Sequence, residues 1–332
     1  MKKILIFGGT QFIGRRLVEL LLENGQYELT LFNRGKSMPN LFPNVKKILG
    51  NRRTEDINQL KEGDWDVVID VSSYHPYPLQ KAVDILKDKA KRYIYVSTIS
   101  VYDDEACQNQ VITETTKLKT YTEEDKTAED ITGQNYGPKK VACEEVLLNT
   151  PELDSIILRP SVVYGKYDPF DRHYYWLYRI QNQDKILLPE GGKTQLSFTF
   201  VDDLVESIIA AIEVENHSGI YNVTTHPVLS LKDIVYAMAK ALGKEPEWIN
   251  TDADWLQNQK VNQWAGISFW TSQDMLMVDN EKITTDFQLQ WDDIETSFKK
   301  TADYYESLGW PLPKYGISVE REQELMDILV ER

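Results

Sequence analysis

Phe7-Gly8-Gly9-Thr10-Gln11-Phe12-Ile13-Gly14 is the stretch whose reading decides the fold of this 332-residue chain. The apolar run Ile4–Phe7 in front of it reads as a fully buried strand, and Arg15–Glu23 behind it as a helix with Leu17, Val18, Leu20, Leu21 and Leu22 turned inward. Glycines between a strand and a helix let the backbone approach a pyrophosphate. The helix N-terminus adds unpaired N–H groups and a positive partial charge. Gly8, Thr10, Gln11, Phe12 and Ile13 are therefore candidate dinucleotide contacts.

Outward from this turn, strand and helix patterns alternate. Glu28–Phe32, Val67–Val71, Tyr93–Ser97 and Ser155–Leu158 read as strands, with helical spacing at Leu79–Lys89 and Lys139–Leu148. Such repeats predict an α/β fold: a doubly wound parallel sheet of the Rossmann type with a smaller, mixed C-terminal substrate domain. Residues 1–165 are expected to form the dinucleotide-binding domain, with 197–224 returning to it. Residues 166–196 and 225–332 are expected to form the smaller domain, where Tyr and Trp are dense. Residues 103–133 form a polar insertion with the length of a lid or binding loop.

Composition narrows the function. The chain has 52 Asp plus Glu against 37 Lys plus Arg, a net charge of −15. Nucleic acid or an anionic membrane would be bound against that field, so neither is an expected partner. Cys107 and Cys143 are too few for a disulfide framework, and His75, His173, His217 and His226 show no ligand spacing, so no metal is expected. The apolar run after Met1-Lys2-Lys3 is too short for a signal peptide, and no segment approaches a membrane span. A cytoplasmic protein with a small-molecule substrate is expected, and a homodimer is compatible with that reading.

The motifs together resemble the short-chain dehydrogenase/reductase superfamily, in its extended or atypical epimerase/dehydratase-like branch. The Gly-x-x-Gly-x-x-Gly turn of that branch is matched by Gly8, Gln11 and Gly14, with its middle glycine replaced. Further matches are Val96-Ser97-Thr98, Val101-Tyr102, Tyr136 with Lys140, Leu158-Arg159-Pro160, Val163-Tyr164-Gly165 and Val201-Asp202-Asp203. The turn is particularly similar to a subgroup that includes chloroplast stem-loop-binding proteins and bacterial epimerase-like proteins.

The resemblance implies a nicotinamide cofactor. NAD-selective members end the second strand with an acid that holds the ribose diol. Here the strand runs into Asn33-Arg34-Gly35-Lys36, where Arg34 and Lys36 suit a 2′-phosphate. NADP is therefore expected in preference to NAD. Asn51 matches the position of an adenine-contacting Asp. Asp70 and Val71, at the end of the next strand, are expected close to the cofactor.

The resemblance also implies a catalytic Tyr with a Lys four residues later on one helix face. Tyr77/Lys81, Tyr136/Lys140 and Tyr236/Lys240 all have that spacing. Only Tyr136/Lys140 follows a strand ending in hydroxyl residues and precedes the strand into the second domain. The expected triad is Thr98 on the substrate oxygen, Tyr136 as acid/base, and Lys140 as its activator and a ribose contact. Pro138 is compatible with this only if the helix starts there.

Departures from the family pattern narrow the reaction. Ile99-Ser100 stand where dehydratases carry Asp-Glu, so dehydration is not expected. Val162 and Leu196 replace an Asn and an Arg of nucleotide-sugar epimerases, which weakens a UDP-sugar pocket. The expected function is an NADP-dependent reductase or epimerase. A non-catalytic NADP-sensing regulator is the alternative, and an RNA-binding protein a more distant one.

Overall fold

The computed structural model describes residues 1–274 and 276–330; Met275 and the last two residues, which fall in the expected second domain, lie outside the described residues. The strands are β1 (Lys2–Phe7), β2 (Tyr27–Asn33), β3 (Lys46–Leu49), β4 (Trp65–Asp70), β5 (Ala90–Val96), β6 (Asp154–Pro160), β7 (Val162–Tyr164), β8 (Lys185–Pro189), β9 (Gln195–Phe200), β10 (Gly219–Val223), β11 (His226–Ser230) and β12 (Glu247–Thr251). The helices are α1 (Phe12–Asn24), α2 (Pro76–Leu86), α3 (Glu123–Thr127), α4 (Tyr136–Leu148), α5 (Tyr174–Asn182), α6 (Val201–Glu213), α7 (Leu231–Leu242), α8 (Ala253–Asn258), α9 (Glu281–Phe287), α10 (Ile294–Ser307) and α11 (Val319–Val330).

The large sheet has the order β10-β6-β5-β4-β1-β2-β3, and each pairing is parallel. This is the doubly wound arrangement the strand–helix alternation predicts. Its central strands are buried on both faces. Ile4 and Ile6 face a core shared with α1 and α6, while Leu5 and Phe7 face one shared with α2 and α4. A strand with period-2 alternation between two apolar cores must be apolar at every position, which is why Ile4–Phe7 has no polar break. The order changes direction between β1 and β4, and a crevice opens there at the carboxyl ends.

The remaining strands form a three-stranded sheet, β11-β9-β7, and a pair, β12-β8. The strand ending at Phe200 therefore does not rejoin the large sheet; its partners are β7 and β11. The return is made by α6 and β10, which pairs with β6. The aromatic-rich segments build a separate core around Tyr164, Trp176, Phe198, Phe269, Trp270 and Phe298. Phe12 and Ile13, from the Gly-rich turn, pack against that core, so the turn sits where the two cores meet.

Candidate functional site

Below the carboxyl ends of β1 and β4 lies a cleft of about 720 Å³. One wall is the turn Gly8–Gly14. Gly8 and Gly9 have φ of 106° and 92°, which side-chain-bearing residues rarely adopt. A Cβ on Gly14 would lie 2.8 Å from the Gly9 nitrogen, so the turn closes only with glycine there. Gln11 stands at the N-cap of α1 but makes no side-chain cap bond. The N–H groups that open α1 are thus left facing the cleft. Thr10, Phe12 and Ile13 complete this wall.

The second wall is the loop after β2. Asn33 is spent on local structure: its Nδ2 donates to the Gly8 carbonyl (3.3 Å), and its Oδ1 accepts from the Gly35 N–H (2.9 Å). Those bonds present Arg34 and Lys36 at the cleft, exposed and with no carboxylate partner among the described residues. Asn51 also lines the cleft. Its Oδ1 accepts from the Arg53 N–H (3.1 Å), which closes a turn.

Asp70 ends β4, as expected, but its side chain does not line the cleft. Its carboxylate is fully buried behind the cleft wall, accepting from Tyr93 Oη (2.8 Å), Ser73 Oγ (2.6 Å), the Ser72 N–H (3.0 Å) and Arg52 Nη1 (2.8 Å). With so many donors it has no lone pair left for a ligand. Its role is to hold Arg52, whose guanidinium lies 4.2 Å from the Phe7 ring centre, beneath the crevice. Val71 and Ser72 supply the wall instead, and Ser72 Oγ donates to the Phe7 carbonyl (3.1 Å).

The expected triad lies next to Tyr74, outside the residues that line the cleft. Thr98 caps the short 3₁₀ turn Ile99–Val101 by accepting from the Ser100 N–H (3.2 Å). Tyr136 is the first residue of α4, and its ring lies 6.1 Å from that of Tyr74. Burial pushes the Tyr136 phenol up to about 12, and the Tyr74 hydroxyl adds to this; Thr98, by hydrogen bonding, and the Arg172 charge act in the lowering direction. Thr98 and Tyr136 are thus brought together.

Lys140, one turn along α4, is buried. Its Nζ donates to the Val96 carbonyl (2.9 Å) and lies 4.8 and 4.6 Å from the ring centres of Tyr74 and Tyr95. Burial lowers its ammonium to about 8, the charges of Cys143, Asp70 and Glu144 opposing. Its charge is directed at a carbonyl and two aromatic faces. The lowering influence on Tyr136 comes from Thr98 and Arg172.

Four participants escape the sequence reading. Arg52 pairs across eighteen positions with Asp70 and leaves no local signal. Tyr74 is visible only as an aromatic after a strand. Gly137 lies against the 3₁₀ turn so tightly that a Cβ would sit 2.1 Å from the Ser100 carbonyl oxygen, and the charge of Arg172, on the loop before α5, acts on the Tyr136 phenol. A glycine directly after the candidate Tyr was the available clue for Gly137. The insertion contributes as well: Glu129 and Ile131 line the cleft, and Glu129 pairs with Arg53.

Residues 77–224 match the model of the NAD dependent epimerase/dehydratase family. The chain is 26% identical over 268 residues to the chloroplast stem-loop binding protein of 41 kDa b from Arabidopsis thaliana, covering 75% of this chain and 66% of that protein. The match thus spans just under two thirds of the relative's length. UDP-glucuronic acid 4-epimerase from Bacillus cereus in complex with NAD superposes with a TM-score of 0.69 at 19% identity, covering 93% of this chain and all of that one (100%). UDP-N-acetylglucosamine 4-epimerase from Methanobrevibacter ruminantium gives 0.70 at 18%, covering 92% and 99%. dTDP-glucose 4,6-dehydratase from Bacillus anthracis gives 0.69 at 18%, covering 92% and 97%. At these identities the likeness to solved structures is one of fold.

Proposed function

From the match of residues 77–224 to the NAD dependent epimerase/dehydratase family, we propose that the chain is a member of that family and an NADP-dependent reductase or epimerase. It acts on a hydroxyl or carbonyl carbon of a small, sugar-like substrate. The observation that carries this is the cleft, with a glycine cradle, a free helix N-terminus and two cations unpaired among the described residues, together with the ring of Tyr74 in its lining, 6.1 Å from that of Tyr136. The residues fit the cofactor. The Gly8–Gly14 backbone suits the pyrophosphate, Arg34 and Lys36 the 2′-phosphate, and Asn51 the adenine side.

A bound nicotinamide supplies the two-electron donor or acceptor. Thr98 orients the substrate oxygen, and Tyr136 moves the proton on or off it. A phenol pushed up to about 12 is protonated at neutral pH, which suits donation to a developing alkoxide. No acid follows Thr98: Ile99 is buried, and the Ser100 N–H donates to Thr98, which argues against elimination of water.

A second reading, a non-catalytic NADP-sensing protein, draws support from Lys140, whose ammonium is engaged by the Val96 carbonyl. One experiment separates the two. NADPH and NADH are titrated into wild type and Arg34→Ala, and aldehyde, ketone and sugar panels are assayed with wild type and Tyr136→Phe. We expect NADPH to bind more tightly than NADH and Arg34→Ala to weaken NADPH by roughly tenfold or more. Turnover should fall ~10²–10⁴-fold in Tyr136→Phe with NADPH binding unchanged. Binding without turnover across the panels favours the sensor; binding of neither nucleotide ends both readings.

A further inference from the structure

Tyr74 stands on the loop between β4 and α2, and a network of hydrogen bonds holds that loop in place. The Asp70 carboxylate accepts from the Ser72 N–H (3.0 Å) and from Ser73 Oγ (2.6 Å), and Ser72 Oγ donates to the Phe7 carbonyl (3.1 Å). The buried Tyr95 Oη donates to the Ser73 carbonyl (3.0 Å), one residue before Tyr74. Polar groups satisfied in this way fix a backbone in one conformation. On it Tyr74 is mounted in the lining of the cleft, with 40% of its surface exposed.

The Tyr74 ring joins that lining to the triad. It lies 6.1 Å from the Tyr136 ring, and the Lys140 ammonium stands 4.8 Å from its centre. Lys140 is buried and does not line the cleft. Its neighbours are the Val96 carbonyl, the Tyr95 ring and the Tyr74 ring, and of these three Tyr74 alone lines the cleft. A cation over an aromatic face is held by the ring quadrupole, more strongly when desolvated. The Tyr74 hydroxyl has no hydrogen-bond partner among the described residues. Burial, and after it the Asp70 charge, raise this phenol above its ordinary value, so it is a donor at neutral pH.

We propose that Tyr74 is a positioning residue for the nicotinamide half of the dinucleotide, its ring holding the Lys140 ammonium and its free hydroxyl donating to the bound cofactor. The inference rests on the reading of the cleft as an oxidoreductase site and assigns a residue that the Thr98, Tyr136 and Lys140 pattern does not contain. Hydride transfer to a carbon whose oxygen is served by Tyr136 requires the nicotinamide beside Tyr136. Tyr74 lines the cleft and meets the Tyr136 ring, so it borders that half. Arg34 and Lys36 stand with the adenosine half. Tyr74 thus couples what the cleft binds to a lysine that the cleft does not reach.

The test compares NADPH with adenosine 2′,5′-bisphosphate, which carries the adenosine and the 2′-phosphate but no nicotinamide. Both are titrated by calorimetry into wild type, Tyr74→Phe and Tyr74→Leu. We expect NADPH to be weakened roughly three- to tenfold in Tyr74→Phe, which keeps the ring, and roughly tenfold or more in Tyr74→Leu, which loses it. The bisphosphate should bind all three proteins equally, which also shows that the variants fold. In a Lys140→Met background, Tyr74→Leu should cost no more than Tyr74→Phe does in wild type, because the cation is gone. NADPH binding unchanged in Tyr74→Leu overturns the proposal, as does equal weakening of both ligands. A Tyr74→Leu effect as large without Lys140 as with it overturns the coupling on which the proposal stands. In each of these cases the wild type still binds both ligands, so the oxidoreductase reading survives. Binding of neither ligand to wild type removes that reading itself.

Discussion

Two side chains one turn apart on α4 illustrate how burial, more than neighbouring charge, sets proton affinities in this site. Tyr136 is pushed up to about 12 and Lys140 down to about 8, each chiefly because burial disfavours its charged form. For Lys140 the consequence extends to stability. Its ordinary value is 10.5, so between pH 8 and 10.5 the unfolded chain binds more protons than the folded one. Stability from this group therefore climbs with pH across that window, and below pH 8 the penalty of the buried charge is felt in full. Cys143, raised to about 11, has the opposite slope above its ordinary 9, so the comparison must be differential. In urea unfolding followed by circular dichroism, Lys140→Met should be more stable than wild type at pH 7, with the advantage shrinking by pH 10. A difference that does not change with pH would contradict the buried, depressed ammonium.

At the scale of the element, α4 is built to start abruptly. Pro138 lies in its first turn, where a missing N–H costs no intrahelical bond. Gly137 is buried against the 3₁₀ turn that Thr98 caps, with the Ser100 carbonyl where a side chain would begin. This contact sets the approach of Tyr136 to Thr98. Gly137→Ala forces the two elements apart, at a cost of about 1–3 kcal/mol typical of overpacking. Turnover should fall more than stability does, because the proton donor moves away from the substrate oxygen while the dinucleotide cradle, on α1, is untouched. NADPH titration of this variant should match wild type; an equal loss of cofactor binding would mean α4 acts on the fold as a whole.

On the scale of the whole molecule, the second core depends on a buried ion pair. Arg179 Nε on α5 donates to Glu322 Oε2 on α11 (2.6 Å), and the Leu187 N–H on β8 donates to Glu322 Oε1 (3.0 Å). Both side chains are fully buried, and the Arg179 guanidinium stacks 3.5 Å from the Tyr175 ring centre. Three elements far apart in sequence thus meet at one carboxylate. Removing one partner strands the other, a loss of about 3–5 kcal/mol. Arg179→Met should lower the melting temperature by several degrees while leaving NADPH affinity unchanged, since neither Arg179 nor Glu322 lines the cleft. A melt identical to wild type would show the pair to be dispensable.

The large sheet was legible because its signals are local: Ile4–Phe7 is uninterruptedly apolar, and Gly8, Gly9 and Gly14 sit where a strand must turn into a helix. The short strands β3, β7, β8, β11 and β12 were not assigned, since three to five residues give too little periodicity to distinguish strand from loop. The same contrast runs through the site. Thr98, Tyr136 and Lys140 are named by spacing, and Arg34 with Lys36 by the absence of an acid after β2. The burial of the Asp70 carboxylate was not legible, because the donors that occupy it come from Arg52, Ser72, Ser73 and Tyr93, which only folding brings together.

What the sequence determined by itself is the doubly wound sheet, the glycine turn and the candidate proton donor, for each is written in contiguous residues governed by backbone geometry and short-range periodicity. Only the tertiary structure decided which charges are spent and which are free. Arg52 is consumed by Asp70, Arg179 by Glu322, and Arg34 is left at the cleft with no carboxylate partner among the described residues, because pairing of charges depends on distance in space rather than along the chain.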